Sequence, residues 1–201
     1  MIANLLRVTL LIVLLAFAAS ATVDAQNLVL NGSFENGSFS GWSVSGDSSL
    51  IGVCDVSSCP GGFAPEAGNF AAYFGSVGDT ATISQEIPTT PGQLYALKFY
   101  LADPEGGTPN YFSVTFGTTT LTLNDFGAAF GWQEFDFYSP ANSNQTLLSF
   151  TFRHDPAYWF LDDVAVNGGG CCGTTPEPAT LTLLASGVIA IAGRNYRRLR
   201  R

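Results

Sequence analysis

The chain has 201 residues, 46% of them hydrophobic and only 12% charged, with 22 glycines and 16 phenylalanines. Low charge with many aromatic side chains excludes a disordered chain, since enough apolar surface is present to bury, and the shortage of Lys, Arg and Glu argues against a helical protein. The net charge of −8 is uneven: between Gln26 and Thr175, only Lys98 and Arg153 oppose fourteen acidic residues, and so acidic a body repels nucleic-acid phosphates.

The first element is MIANLLRVTLLIVLLAFAASATVDAQ. Arg7 precedes an apolar run from Val8 to Ala19, and small residues follow. This is the layout of a secretory signal helix over residues 1–25. Val23 and Ala25 suit the −3 and −1 positions, which puts the cut after Ala25; a cut after Ala21 is the alternative.

Residues 26–167 read as one all-β domain. Tyr95, Leu97, Phe99 and Leu101 alternate with Ala96, Lys98 and Tyr100. Phe112, Val114 and Phe116 alternate with Ser113 and Thr115, and Leu148, Phe150 and Phe152 with Ser149, Thr151 and Arg153. In the last run, Phe160, Asp162, Val164 and Val166 are expected on one face. Period-2 alternation rich in aromatic and β-branched residues marks half-buried strands. Turn residues such as Asn31-Gly32, Pro91-Gly92 and Gly106-Gly107 separate the runs. The pattern predicts nine to eleven strands, no amphipathic helix, and a sandwich or barrel. LVL at 28–30 is expected as a first strand beside the last one. Residues 168–175, rich in Gly, Cys and Thr, form a flexible tether.

Four cysteines in an exported chain suggest disulfides. Cys54 and Cys59 bracket four residues, the spacing of a local clip. Cys171 and Cys172 are adjacent, and a bond between them would be strained; pairing between chains or an attachment are the alternatives. His154, the single histidine, stands beside Asp155, but no G-x-S-x-G elbow accompanies it, and it reads as a loop residue at a strand end. Glu134 and Asp136 could serve as a glycosidase carboxylate pair, yet at i and i+2 opposite Phe135 and Phe137 they read as a solvent face. The chain is therefore expected to be non-catalytic.

Three stretches, NLVLNGSFENGSFSGW (27–42), EAGNFAAYFG (66–75) and FLDDVAV (160–166), resemble landmarks of the galactose-binding-like β-sandwiches, which include the family 4, 9 and 22 carbohydrate-binding modules. The resemblance implies a jelly-roll sandwich with Trp42 in its core. It also implies one structural calcium ion joining the first and last strands. Glu35 and Asp162 match the acidic positions of the opening and closing motifs, Glu66 is a looser match, and the Ser33 and Asn69 carbonyls would complete the shell. An all-oxygen set suits Ca²⁺, and a buried carboxylate is costly unless paired or metal-bound. Such modules stack sugars on aromatic rings. Tyr158 and Trp159, neighbours at a strand start, are the residues expected to be exposed for that purpose.

The last element is PEPATLTLLASGVIAIAGRNYRRLRR. Residues 179–193 carry no charge, and five arginines follow. Fifteen residues are short of the ~20 that span a bilayer, and the flanking arginines would stay on the cytoplasmic side. Pro176-Glu177-Pro178, the apolar helix and the arginine cluster resemble the PEP-CTERM sorting signal over residues 176–201. That resemblance implies recognition and removal of the tail by an exosortase, a transient stay in the inner membrane, and delivery to the cell surface or extracellular polysaccharide matrix. The expected function is a surface-sorted β-sandwich that binds glycans. A structural or adhesive protein without a small ligand is the alternative, and a glycan-active enzyme the remoter one.

Overall fold

The structure, a computed structural model, describes residues 26–168. The signal segment 1–25, with its cut after Ala25, and the tail with Pro176, Glu177, Pro178 and the apolar run 179–193 lie outside the described residues. Among the described residues, no helix is long and apolar enough to cross a membrane.

Ten strands form two five-stranded antiparallel sheets. The first sheet contains β1 (Ser43–Gly46), β4 (Ala81–Pro88), β6 (Asn110–Phe116), β7 (Thr119–Asn124) and β9 (Gln145–His154), in the order β1-β4-β9-β6-β7. The second contains β2 (Ile51–Cys54), β3 (Ala71–Phe74), β5 (Leu94–Asp103), β8 (Phe130–Pro140) and β10 (Trp159–Gly168), in the order β2-β3-β10-β5-β8. A short 3-10 turn at Pro60–Gly62 is the sole helical piece among the described residues.

The alternating runs bury their apolar halves between the sheets. Leu97, Phe99 and Leu101 of β5 meet Phe112, Val114 and Phe116 of β6 and Leu148, Phe150 and Phe152 of β9, all fully buried. Phenylalanine rings dominate the contact. Phe74 stacks on Phe152 with centroids 3.8 Å apart, and Phe99 meets Phe150 edge-on at 5.3 Å. Such pairs add specific geometry to the burial of area. Trp42 lies in this core, stacked on Phe34.

The outer face of the first sheet follows the same alternation with hydroxyls. Ser45, Thr82, Thr151, Ser113 and Thr122 are cross-strand partners in one row, and Ser43, Ser84, Ser149, Thr115 and Thr120 in the next. Thr82 and Thr151, and Thr115 and Thr120, are hydrogen-bonded side chain to side chain at 3.0 Å. This is the solvated half of a one-sided antiparallel sheet.

Two expectations about the chain ends of the domain are corrected. LVL at 28–30 is not a regular strand, although it does lie beside β10: the Leu28 N–H donates to the Val166 carbonyl at 2.9 Å. Strand β3 pairs with β10 only along Trp159–Leu161, and segment 27–32 takes over its place along the second half. Asn27 locks it there, donating to the Val164 carbonyl and accepting the Val166 N–H. Second, the pairing of β10 with β5 shifts between Asp162 and Ala165, and Asp163 there has φ 46°. This bulge reverses the alternation. Trp159, Leu161, Val164 and Val166 enter the main core, whereas Phe160 packs outside it with Ala102 and the cysteines. Phe160 and Asp162 therefore do not share a face with Val164 and Val166.

Candidate functional site

The outer face of the second sheet is where sequence-expected site residues gather. One end of it is roofed by the segment between β2 and β3. Cys54 and Cys59 are disulfide-bonded there and buried. Phe63 packs between Trp132 and Phe160, and the Trp132 indole N–H donates to the Ala64 carbonyl at 3.0 Å. Asp55 orders the clip by accepting from Ser57 and Ser58, whose hydroxyls hold its carboxyl down at about 2.

The roof continues as a loop clamped by two carboxylates. Glu35 accepts the Asn69 N–H at 2.8 Å, the Phe70 N–H at 3.0 Å and the Asn69 side-chain amide at 3.2 Å. The Phe70 amide, with those of Asn69, keeps the Glu35 carboxyl below its usual range. Asp162 accepts the Glu66 N–H at 3.1 Å and the Asp163 N–H at 2.8 Å. Gly68 is required between them: its φ is +61°, and a Cβ there would collide with the Glu35 carboxylate. Asp162 is fully buried beneath the loop, and burial pushes its carboxyl up to about 7. Glu66 is raised too, first by burial and then by the charge of Asp163.

The residues expected to hold calcium are thus brought into one neighbourhood. Their donor chemistry is all oxygen, which suits Ca²⁺. The oxygens of Glu35 and Asp162 nevertheless face backbone amides, and among the described residues no three His, Cys, Asp or Glu side chains gather as a metal group.

Beyond the loop lies an open recess of about 530 Å³ between segment 27–33 and strands β5 and β10. Asn27, Asn31 and Ser33 form one wall; Lys98, Tyr100 and Asp163 line the other side. The Tyr100 hydroxyl donates to Glu134 at 2.7 Å. The Lys98 ammonium lies 2.5 Å from the same carboxylate and 5.7 Å from the Tyr100 ring centroid. These contacts raise the Lys98 pKa and lower that of Glu134, where the Lys98 contact is the largest cause. A half-buried phenol held by a carboxylate, with the Ser33 hydroxyl in the opposite wall, can stack on a sugar ring and bond its hydroxyls.

The aromatic pair expected to be exposed is not the pair found here. Trp159 is 0% exposed; it packs on Phe112 and Phe130, and its indole N–H donates to the Arg153 carbonyl. That removes it as a sugar platform. Tyr158 is half-buried, edge-on to Tyr73 and lying over Gly75. Tyr100, an alternating residue of β5 by its sequence, lines the recess instead. Its signal was present: an aromatic side chain on the polar half of an alternating strand. Glu134 is not a plain solvent acid, because Lys98 and Tyr100 occupy it. His154 ends β9 but is fully buried, with Nε2 3.0 Å from Asp103 Oδ1. Asp103 also accepts the Gly106 N–H, so the pair ties the loop after β5 to the end of β9.

Comparison with solved structures finds the same fold at low identity. TmCBM61 in complex with β-1,4-galactotriose is 18% identical, with a TM-score of 0.59 over 72% of this chain and 99% of that one. The cleaved adhesin domain of Lys-gingipain from Porphyromonas gingivalis is 17% identical, TM-score 0.50, over 69% and 96%. The enzymatically active domain of a bacteriophage CBA120 tailspike protein is 15% identical, TM-score 0.53, with 71% of this chain matching 21% of that one. No curated protein matches the chain. The PEP-CTERM protein-sorting motif is matched at residues 174–198, which marks an exported, surface-sorted protein. Residues 27–167, the sandwich described above, match the family model for a protein of unknown function, DUF642, and the chain belongs to that family.

Proposed function

We propose that the protein is a non-catalytic, glycan-binding β-sandwich of the cell envelope or extracellular polysaccharide matrix, whose tail is recognised and removed by an exosortase after a transient stay in the inner membrane. The observation that carries the binding reading is the recess lined by Tyr100, Lys98 and Ser33 on the outer face of the second sheet. Ligand sites are concave, with a few convergent polar groups, and this one combines a ring face with hydroxyl, amide and ammonium donors. The fold shared with TmCBM61, a structure solved with a galactotriose, supports the reading. Tyr158, the residue before β10, would at most extend the contact. In its organisation, residues 1–25 are a signal peptide, 26–167 the binding domain, 168–175 a tether and 176–201 the sorting signal.

The test is a glycan array on the full chain in mild detergent. Binding to at least one oligosaccharide is expected, weakened roughly tenfold or more by Tyr100→Ala, taking as a guide the ~1–3 kcal/mol that one aromatic side chain contributes when a nucleobase stacks on it. A blank array, or binding indifferent to Tyr100, rejects the site.

One structural calcium ion is proposed as part of the same reading. Glu35, Glu66, Asp162 and the Ser33 and Asn69 carbonyls would hold it after the loop turns its amides away. It would neutralise the buried Asp162 carboxylate. The full burial of that carboxylate, with Asp163 and Glu66 crowded beside it, is what supports the proposal.

A further inference from the structure

We propose that the recess selects glycans bearing protonated amino groups, the chemistry of de-N-acetylated amino sugars, over chains bearing uronates. The inference rests on the glycan reading above and adds the class of sugar. Lys98 is the one cation lining the recess, and Glu134 already holds its ammonium at 2.5 Å. Asp136 is the cross-strand partner of Lys98, so a second carboxylate stands beside the same charge. On the opposite side, Asp163 lines the recess directly. The Asp163 backbone belongs to the bulge, which turns this residue out of the alternation that buries its neighbours Asp162 and Val164. Glu66 sits next to it, its amide bonded to Asp162. The only other cation among the described residues is Arg153, on β9 of the other sheet and bonded to Asp155 at 2.6 Å. Carboxylates therefore outnumber the single, already paired ammonium around the recess.

The consequence for a ligand follows from charge alone. A uronate entering here meets like charge and finds no free cation to answer it. A neutral sugar is indifferent to this field. A sugar ammonium gains Asp163 as a partner, a charge-assisted hydrogen bond stronger than one to a hydroxyl. Complementary potential of this kind selects partners and suppresses wrong ones.

The experiment is calorimetric titration of the full chain in mild detergent, run once with calcium and once with chelator; the same preference is expected in both, because Asp163 lines the recess and is not among the proposed calcium ligands. Three probes of equal length are compared: oligomers of glucosamine, of N-acetylglucosamine and of galacturonate. The glucosamine oligomer is expected to bind about tenfold tighter than its N-acetyl form, equal to ~1.4 kcal/mol, and the galacturonate not at all. Asp163→Asn is expected to reduce that preference to about twofold, a residual ~0.4 kcal/mol. Asn tolerates the left-handed backbone at this position, so the variant folds. Glu86→Gln, on the other sheet, is expected to change nothing. Equal binding of the two amino-sugar oligomers overturns the proposal, as does a preference that survives Asp163→Asn or that Glu86→Gln removes equally. Failure of the parent reading looks different: none of the probes binds, or binding ignores Tyr100→Ala.

Discussion

Asp162 is a fully buried carboxyl whose partners are all backbone amides of Glu66, Ala67 and Asp163. Burial raises it from 3.8 to about 7, so the folded protein holds its proton more tightly than the unfolded chain does. Stability is then greatest below pH 4 as far as this group is concerned. It falls as pH rises between about 4 and 7, and is level above, by roughly 4 kcal/mol at most. Chemical denaturation at pH 5 and pH 8 is expected to show that fall, and Asp162→Asn to abolish the slope while losing about 1 kcal/mol at pH 5 with one acceptor gone. Calcium at pH 8 is expected to restore the melting temperature of the wild type; a melt that calcium leaves unmoved rejects the ion. The acidic motif residues were legible in the sequence, and Glu35 and Asp162 do gather the loop 66–70. What they bind in the structure is amide hydrogen, which no residue pattern announces. The aromatic assignment failed for Trp159 because adjacent residues on a strand point to opposite faces, and sequence alone does not say which face has a second layer over it.

The strands were largely legible, because large apolar residues alternate with others through the middle of β5, β6 and β9 and those facing inward are fully buried. In strand β10, Val164 and Val166 lie on the face opposite to Phe160, not on the shared face that simple alternation predicts. One bulge residue shifts everything after it by one, and only the left-handed φ of Asp163 records the insertion. The replacement of β3 by segment 27–32 along β10 was likewise visible as proximity but not as pairing. Gly32 makes that pairing possible. Its carbonyl accepts the Val164 N–H at 2.9 Å, and a Cβ at this position would collide with the Val164 carbonyl oxygen. Backbone lies on both sides, so neither can yield cheaply. Gly32→Ala is expected to cost about 3 kcal/mol, the upper part of the range for overpacking, read as a lowered denaturation midpoint. An unchanged midpoint would mean that segment 27–32 contributes little to the fold. The same variant would also distort one wall of the recess, so stability and glycan titration should fall together.

At the scale of the molecule, one acidic sandwich is followed by a matched sorting motif. Replacing Pro176, Glu177 and Pro178 with alanines is expected to leave an uncleaved, inner-membrane form in a host that makes an exosortase. Fractionation and immunoblotting read the outcome, and unchanged processing rejects that role for the triplet. The remaining surface has a division of labour. The outer face of the first sheet carries two rows of hydroxyls, while charge and aromatic rings concentrate on the second. Strand β10 joins these levels, because it supplies Asp163 to the recess and ends at Gly168, the last described residue. Its hydrogen bonds run to β5 on one flank and to β3 and segment 27–32 on the other. Ladder bonds lie across the strand direction. A pull arriving from residue 169 onward therefore runs along β10 and loads both flanking ladders in shear, many bonds at once. A pull on residue 26 loads a shorter segment held by fewer bonds. The fold is mechanically directional, stronger against a pull on β10 than against one on the segment that precedes β1.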